Sequence, residues 1–148
     1  DGLFAETYAR DLPGKGNTYW MKSYRNDTLL NKPQELNVIY DATFDAGTNI
    51  DGITFIRPLR FFVNALDDNN IPRKLNDGDR VRSELYSISN EAFQFLQIVR
   101  EQTTNGDNTI FALPVANARG NIVDQSGDRA LGIFNVAMVS RKEVVVSE

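Results

Sequence analysis

Most of this chain alternates apolar and polar residues over short runs separated by turn residues, and one segment departs from that rhythm. Leu3 to Ala9 sets Leu3, Ala5 and Thr7 against Phe4, Glu6 and Tyr8, the period of a half-buried strand. Thr18 to Arg25 is rich in aromatic residues and ends at Asn26-Asp27, while Leu36 to Tyr40 and Ile53 to Ile56 are short β-branched runs. Leu59 to Ala65 alternates around Phe61 and Val63, with Pro58 marking an edge or a bulge. Arg80 to Ile88 alternates cleanly, placing Val81, Ser83, Leu85 and Ser87 on one face and Arg82, Glu84 and Tyr86 on the other. Leu131 to Val139 is nearly all apolar, which predicts a strand buried on both faces. Lys142 to Val146 is the last strand candidate.

The exception follows Ser89-Asn90, either of which can cap a helix by accepting an orphan backbone N–H. Ala92, Phe93, Phe95, Leu96, Ile98 and Val99 then recur at helical spacing, covering roughly 220° of the wheel, wider than an ordinary surface stripe. Such a helix needs cover on more than one side. It is predicted over about residues 90–102, stopping near Thr103-Thr104 before the Asn105-Gly106-Asp107-Asn108 turn. About six to eight strands and one helix predict a mainly-β fold, an antiparallel sandwich or a partly open barrel with one docked helix. No composition shift divides residues 1–148, so a single domain is expected.

The 148 residues are 41% hydrophobic and 24% charged, ordinary for a globular chain. A net charge of −4 with scattered cations argues against nucleic-acid binding. The absence of histidine and cysteine removes disulfides, thiolate chemistry and the usual acyl-transfer triad. No cofactor motif is present. Gly14-Lys15-Gly16 lacks the spacing and the following helix of a phosphate loop.

What remains is thin. Asp41, Asp45 and Asp51 fall within eleven residues and could converge on a calcium ion or form an acid/base pair, although their spacing is not that of an EF-hand loop and aspartates in Gly/Asn-rich loops usually serve turns. Tyr19, Trp20 and Tyr24 make an aromatic strand that could stack on a ligand or simply anchor the core. Arg57 and Arg60 flank Pro58 and could take an anion or pair with acidic loops. The candidate ligand-binding residues are therefore Trp20, Tyr24, Asp41, Asp45, Asp51, Arg57 and Arg60, with no catalytic residue and no metal ligand assigned.

The order of motifs carries more than any one of them. Asp11-Leu12-Pro13 precedes Gly16-Asn17-Thr18-Tyr19-Trp20, and Asp41 to Gly52 reads DATFDAGTNIDG. Leu75 to Leu96 joins a turn, a strand, the Ser-Ile-Ser cap and the aromatic helix. Pro114, Asn117, Gly120-Asn121-Ile122 and Leu131-Gly132-Ile133-Phe134 close the series. In this order and spacing the chain resembles the Bacteroidetes domain-of-unknown-function family four-two-four-nine, whose members are predicted outer-membrane lipoproteins. Members typically carry a signal peptide, a lipid-modified cysteine and an N-terminal β-domain. A chain starting at Asp1-Gly2 is then expected to be the C-terminal half. Asp27-Thr28-Leu29 also matches the short Asp-Thr-apolar signal for O-glycosylation of exported proteins in those bacteria.

The resemblance implies a binding or accessory module, lipid-anchored at the outer membrane or cell surface. Its implied partners are a TonB-dependent receptor and the missing N-terminal domain. Two other readings stay open: a carboxylate-based hydrolase built on Asp41, Asp45 and Asp51, and a structural domain that packs on the missing half.

Overall fold

A computed structural model describes residues 2–41, 52, 63–105, 117–130 and 132–147. Among the described residues the chain is mainly β with one docked helix. Its elements are β1 (Thr18–Arg25), β2 (Thr28–Leu29), a 3₁₀ turn (Pro33–Glu35), β3 (Asn37–Tyr40), β4 (Arg80–Ile88), α1 (Asn90–Asn105) and β5 (Met138–Val145). The strands form one open antiparallel sheet in the order β2-β1-β4-β5, with β3 sharing the β2 edge of β1. The central pair runs in register from Thr18 opposite Ile88 to Arg25 opposite Val81.

That register decides which residues share a face. Tyr19, Met21 and Ser23 are buried on one side, while Trp20, Lys22 and Tyr24 stand half-buried on the other. The first face packs Tyr19, Met21, Ile39 and Val63 together, with Ala5, Ala9 and Leu85 against them. On the second face Val38 and Ile88 meet Ala92 and Leu96 of α1, with Phe93 and Phe95 partly buried at the margins. The broad apolar arc of α1 is thus used as expected, wedged between the sheet and its flanking loops. Its last turn extends through Thr103 and Thr104, whose hydroxyls donate to the carbonyls of Val99 and Arg100.

Side chains set the ends of the elements. Ser89 Oγ accepts the Ala92 N–H at 3.1 Å, which makes Ser89 the cap of α1. Ser89→Ala should destabilise the protein by about 1 kcal/mol, read as a shifted denaturation midpoint. Asn26 and Asp27 both adopt positive φ, 49° and 63°, the two-residue turn whose twist matches a β-hairpin. Thr28 is exposed just beyond it.

The turn before β4 is held by Asp79. Its carboxylate accepts the Asn76 N–H, the Asn26 side-chain amide and the Arg25 guanidinium. These donors, the Asn76 N–H foremost, hold the Asp79 carboxyl down at about 2. A folded value below the unfolded one adds stability at higher pH that acid removes. Stability should therefore fall between about pH 4 and pH 2 as this group protonates. Thermal melts of Asp79→Asn should lose part of that acid dependence.

Three strand expectations differ from the structure. Leu3 to Ala9 forms no strand beyond a single bridge from Leu3 to Leu75. The buried Asn64 amide bonds both the N–H and the carbonyl of Ala5, so one side chain replaces a ladder there. Of the Leu59 to Ala65 run, residues 63–65 are not strand, and 59–62 lie outside the described residues, as does Ile53 to Ile56. The third difference concerns Leu131 to Val139, of which residue 131 lies outside the described residues and 132–139 do not form a doubly buried strand. Asn121 takes both backbone groups of Phe134, the ladder begins only at Met138, and Phe134 and Val136 are 67% and 82% exposed.

Candidate functional site

The second sheet face beyond α1 carries a layered arrangement of rings and charges. Its first row is Trp20 opposite Tyr86, its second Lys22 opposite Glu84 and its third Tyr24 opposite Arg82. β5 continues these rows with Val139, Arg141 and Glu143. Side chains directly opposite one another on antiparallel strands point the same way, so all nine belong to one surface.

Within it, Glu84 is the hub. Its carboxylate accepts the Tyr86 hydroxyl at 2.8 Å and the Tyr24 hydroxyl at 3.3 Å, and lies 3.4 Å from Arg82 Nε. That Nε is buried outside hydrogen-bond geometry, so its contact with Glu84 is an ion pair only. Burial first, and the hydrogen bond to Glu84 second, push the Tyr86 phenol up to about 12. The Arg82 guanidinium stacks 4.0 Å from the centre of the Tyr24 ring and also faces Asp27 and Glu143. Arg80 faces Asp27, and Arg141 faces Glu143.

Lys22 is placed differently. Its ammonium lies 4.0 Å from the centre of the Trp20 ring and 4.6 Å from that of Tyr86. Among the described residues it has no carboxylate and no hydrogen-bond acceptor. The two rings stand 6.1 Å apart, tilted at 41°. Two grooves open on either side of this saddle and share Trp20 and Lys22 as walls. One, about 230 Å³, runs past Leu29, Leu30, Pro33 and Leu36 to Val99 of α1. The other, about 220 Å³, is walled by Ile88, Ala92, Leu96, Ile133 and Ala137.

The residues singled out from sequence divide into three groups. Trp20 and Tyr24 share one strand face with Lys22 between them, but their ring partners differ: Trp20 meets Lys22 and Tyr86, and Tyr24 meets Arg82. Tyr19 points the opposite way into the core, donating to buried Asp11 at 2.6 Å and accepting the Leu12 N–H, and burial raises its ionisation far above the usual phenol range. Asp41 is described and is buried as a brace. One of its oxygens accepts the N–H groups of Gly16 and Asn17 at 2.8 and 2.7 Å. The Gly14-Lys15-Gly16 turn, with φ of 117° at Gly14 and 85° at Gly16, thus cradles the chain's own carboxylate. Asp45, Asp51, Arg57 and Arg60 lie outside the described residues. Among the described residues, no group of three or more acidic side chains converges as metal ligands would.

Lys22 and Glu84 were missed as site residues. The signal for Lys22 was available, because a residue midway between Trp20 and Tyr24 on a strand must share their face. Glu84 and Tyr86 needed the β1–β4 register, which no local pattern contains.

The motif order noted in the sequence has a direct counterpart. A family model described as "Domain of unknown function (DUF4249)" matches residues 6–143. The chain belongs to the DUF4249 family. The match begins in the segment that covers the first sheet face and ends within β5, so this DUF4249 chain carries the whole described sheet, short of the end of β5, and α1 inside the family region. No curated protein and no solved structure matches it. No helix among the described residues is long and apolar enough to cross a membrane.

Proposed function

We propose that this DUF4249 chain is a non-enzymatic binding and accessory module. In this reading it belongs to a lipoprotein of Bacteroidetes, anchored at the outer membrane or cell surface, that works beside a TonB-dependent receptor in nutrient uptake. The observation that carries the binding part is the Trp20–Lys22 saddle, with its apolar grooves and its cation that no acid of the described residues neutralises. Concave, mostly apolar walls with a few placed polar groups are the usual make-up of a small-ligand site.

The accessory part draws support from β5. Val136, Met138, Val139 and Val145 are 50–82% exposed at the end of the sheet, and no further described strand pairs with it. Exposed apolar edges of this kind are normally held against another polypeptide. The carboxylate-hydrolase reading is weaker, because Asp41 already spends an oxygen on two backbone N–H groups.

Fractionation of the native organism tests the proposal. The complete protein is expected in the outer-membrane fraction, labelled by fatty acid and co-purifying with a TonB-dependent receptor. Val139→Asp with Val136→Asp should reduce that co-purification. Recovery from the cytoplasm, unlabelled and without a receptor, would refute both location and role.

A further inference from the structure

We propose that the saddle binds an aliphatic monocarboxylate, its carboxylate paired with the Lys22 ammonium and its chain laid in the groove between the sheet and α1. This rests on the binding reading above and names its ligand class. The argument begins with charge. Glu84 stands directly opposite Lys22 and is the acid that cross-strand pairing would give it. Its carboxylate is taken instead by two phenols and Arg82. The neighbouring acids, Asp27 and Glu143, face Arg80, Arg82 and Arg141. Among the described residues, the positive charge left over on this face is that of Lys22. A lysine resting on two rings is held in place without being neutralised, so an incoming anion displaces no carboxylate of the described residues.

The walls then select the rest of the ligand. Ile88, Ala92, Leu96, Ile133 and Ala137 offer carbon to whatever lies between β4 and α1. The polar group at that end, Asn135, already spends its Oδ1 on the Ser89 N–H. In the companion groove both oxygens of Glu35 are occupied, by the N–H groups of Lys32 and Leu66. A sugar placed in the groove between β4 and α1 would find little beyond the Lys22 ammonium, the Tyr86 hydroxyl and the Asn135 side-chain amide among its lining side chains, too few to offset the burial of its hydroxyls. A hydrocarbon chain loses nothing on entering, and one terminal anion matches one cation. The tilted Trp20 and Tyr86 rings fit this assignment as the apolar floor beneath the charge.

Trp20 is the only tryptophan in the chain, so its fluorescence reports the site directly. The experiment titrates the protein with decanoate and with decanol, both below their aggregation thresholds. Decanoate should shift the Trp20 emission saturably. Decanol, with the same chain and no charge, should bind at least roughly tenfold more weakly, the worth of one charge-assisted contact. Lys22→Met should bring decanoate down to the decanol level, while Lys22→Arg should keep the difference. Ala137→Phe should fill the groove and weaken decanoate in a protein that keeps Lys22. Circular dichroism confirms that each variant is folded. Equal binding of acid and alcohol, an unaltered Lys22→Met variant, or no saturable shift with decanoate would overturn the proposal. A protein silent to decanoate that still co-purifies with a receptor loses the ligand class alone. One that binds decanoate without any receptor loses the accessory role alone.

Discussion

Replacing Met21 with Ala should destabilise the protein by about 2–5 kcal/mol, whereas the same change at Met138 should stay within about 0.5 kcal/mol. The chain has only these two methionines, and the sheet sets them at opposite extremes. Met21 is 1% exposed in the middle of β1, packed with Tyr19, Ile39 and Val63. Truncating it leaves a cavity between the sheet and the segment pinned by Asn64, and neither side can collapse freely into it. Met138 opens β5 and is 70% exposed. Urea unfolding provides the measurement, with the midpoint of Met21→Ala falling sharply and the slope unchanged. Equal losses at the two positions would mean that β5 is covered in solution, and no loss at Met21 would mean that the first face is not a packed core.

The contrast also shows what local patterning could and could not reveal. β1, β3, β4 and α1 were legible because each carries its own periodicity and its own stop, from Asn26-Asp27 after β1 to Ser89 before α1. Those signals act within a few residues, and in these four elements the tertiary pairing agrees with them. The Leu3 to Ala9 and Leu131 to Val139 runs were misread for a shared reason. In both, a distant asparagine side chain, Asn64 or Asn121, satisfies the backbone that a neighbouring strand was expected to satisfy. An amide side chain can imitate one rung of a ladder, and nothing in the local alternation announces it. An apolar run likewise states that it favours burial without stating what buries it, which is why Val136 and Met138 looked like core.

The candidate site divides along the same line. Trp20 and Tyr24 could be placed on one strand face by counting, and Lys22 with them. The hub at Glu84 depended on pairing two strands separated by more than fifty residues. Asp41 was a candidate for chemistry because Asp45 and Asp51 follow within eleven residues, against the turn role that such loops usually give an aspartate. Its partners, Gly16 and Asn17, lie in another loop altogether.

Glu84→Ala should cost about 2–4 kcal/mol, since removing one partner from a buried hydrogen-bonded charge strands the others. Three groups lose a partner at once. The Tyr24 and Tyr86 hydroxyls lose a carboxylate, and Arg82 keeps only Asp27 and Glu143, at 3.4 and 3.9 Å. The loss falls short of a full buried ion pair because Arg82 retains those two acids. Combining Glu84→Ala with Tyr86→Phe should cost less than the two changes added separately, by about 0.5–3 kcal/mol, as expected for residues of one network. Glu84→Gln offers a second readout. It removes the negative charge and should lower the Tyr86 ionisation from about 12, leaving it above the ordinary phenol value because burial is the larger cause. Ultraviolet titration of the phenolate band follows that shift. If Glu84→Ala instead melted with the parent and left the Tyr86 titration unmoved, the carboxylate would not be engaged by its phenols. It would then be free to turn toward Lys22 directly opposite, and the cation that the saddle offers to a ligand would already be neutralised.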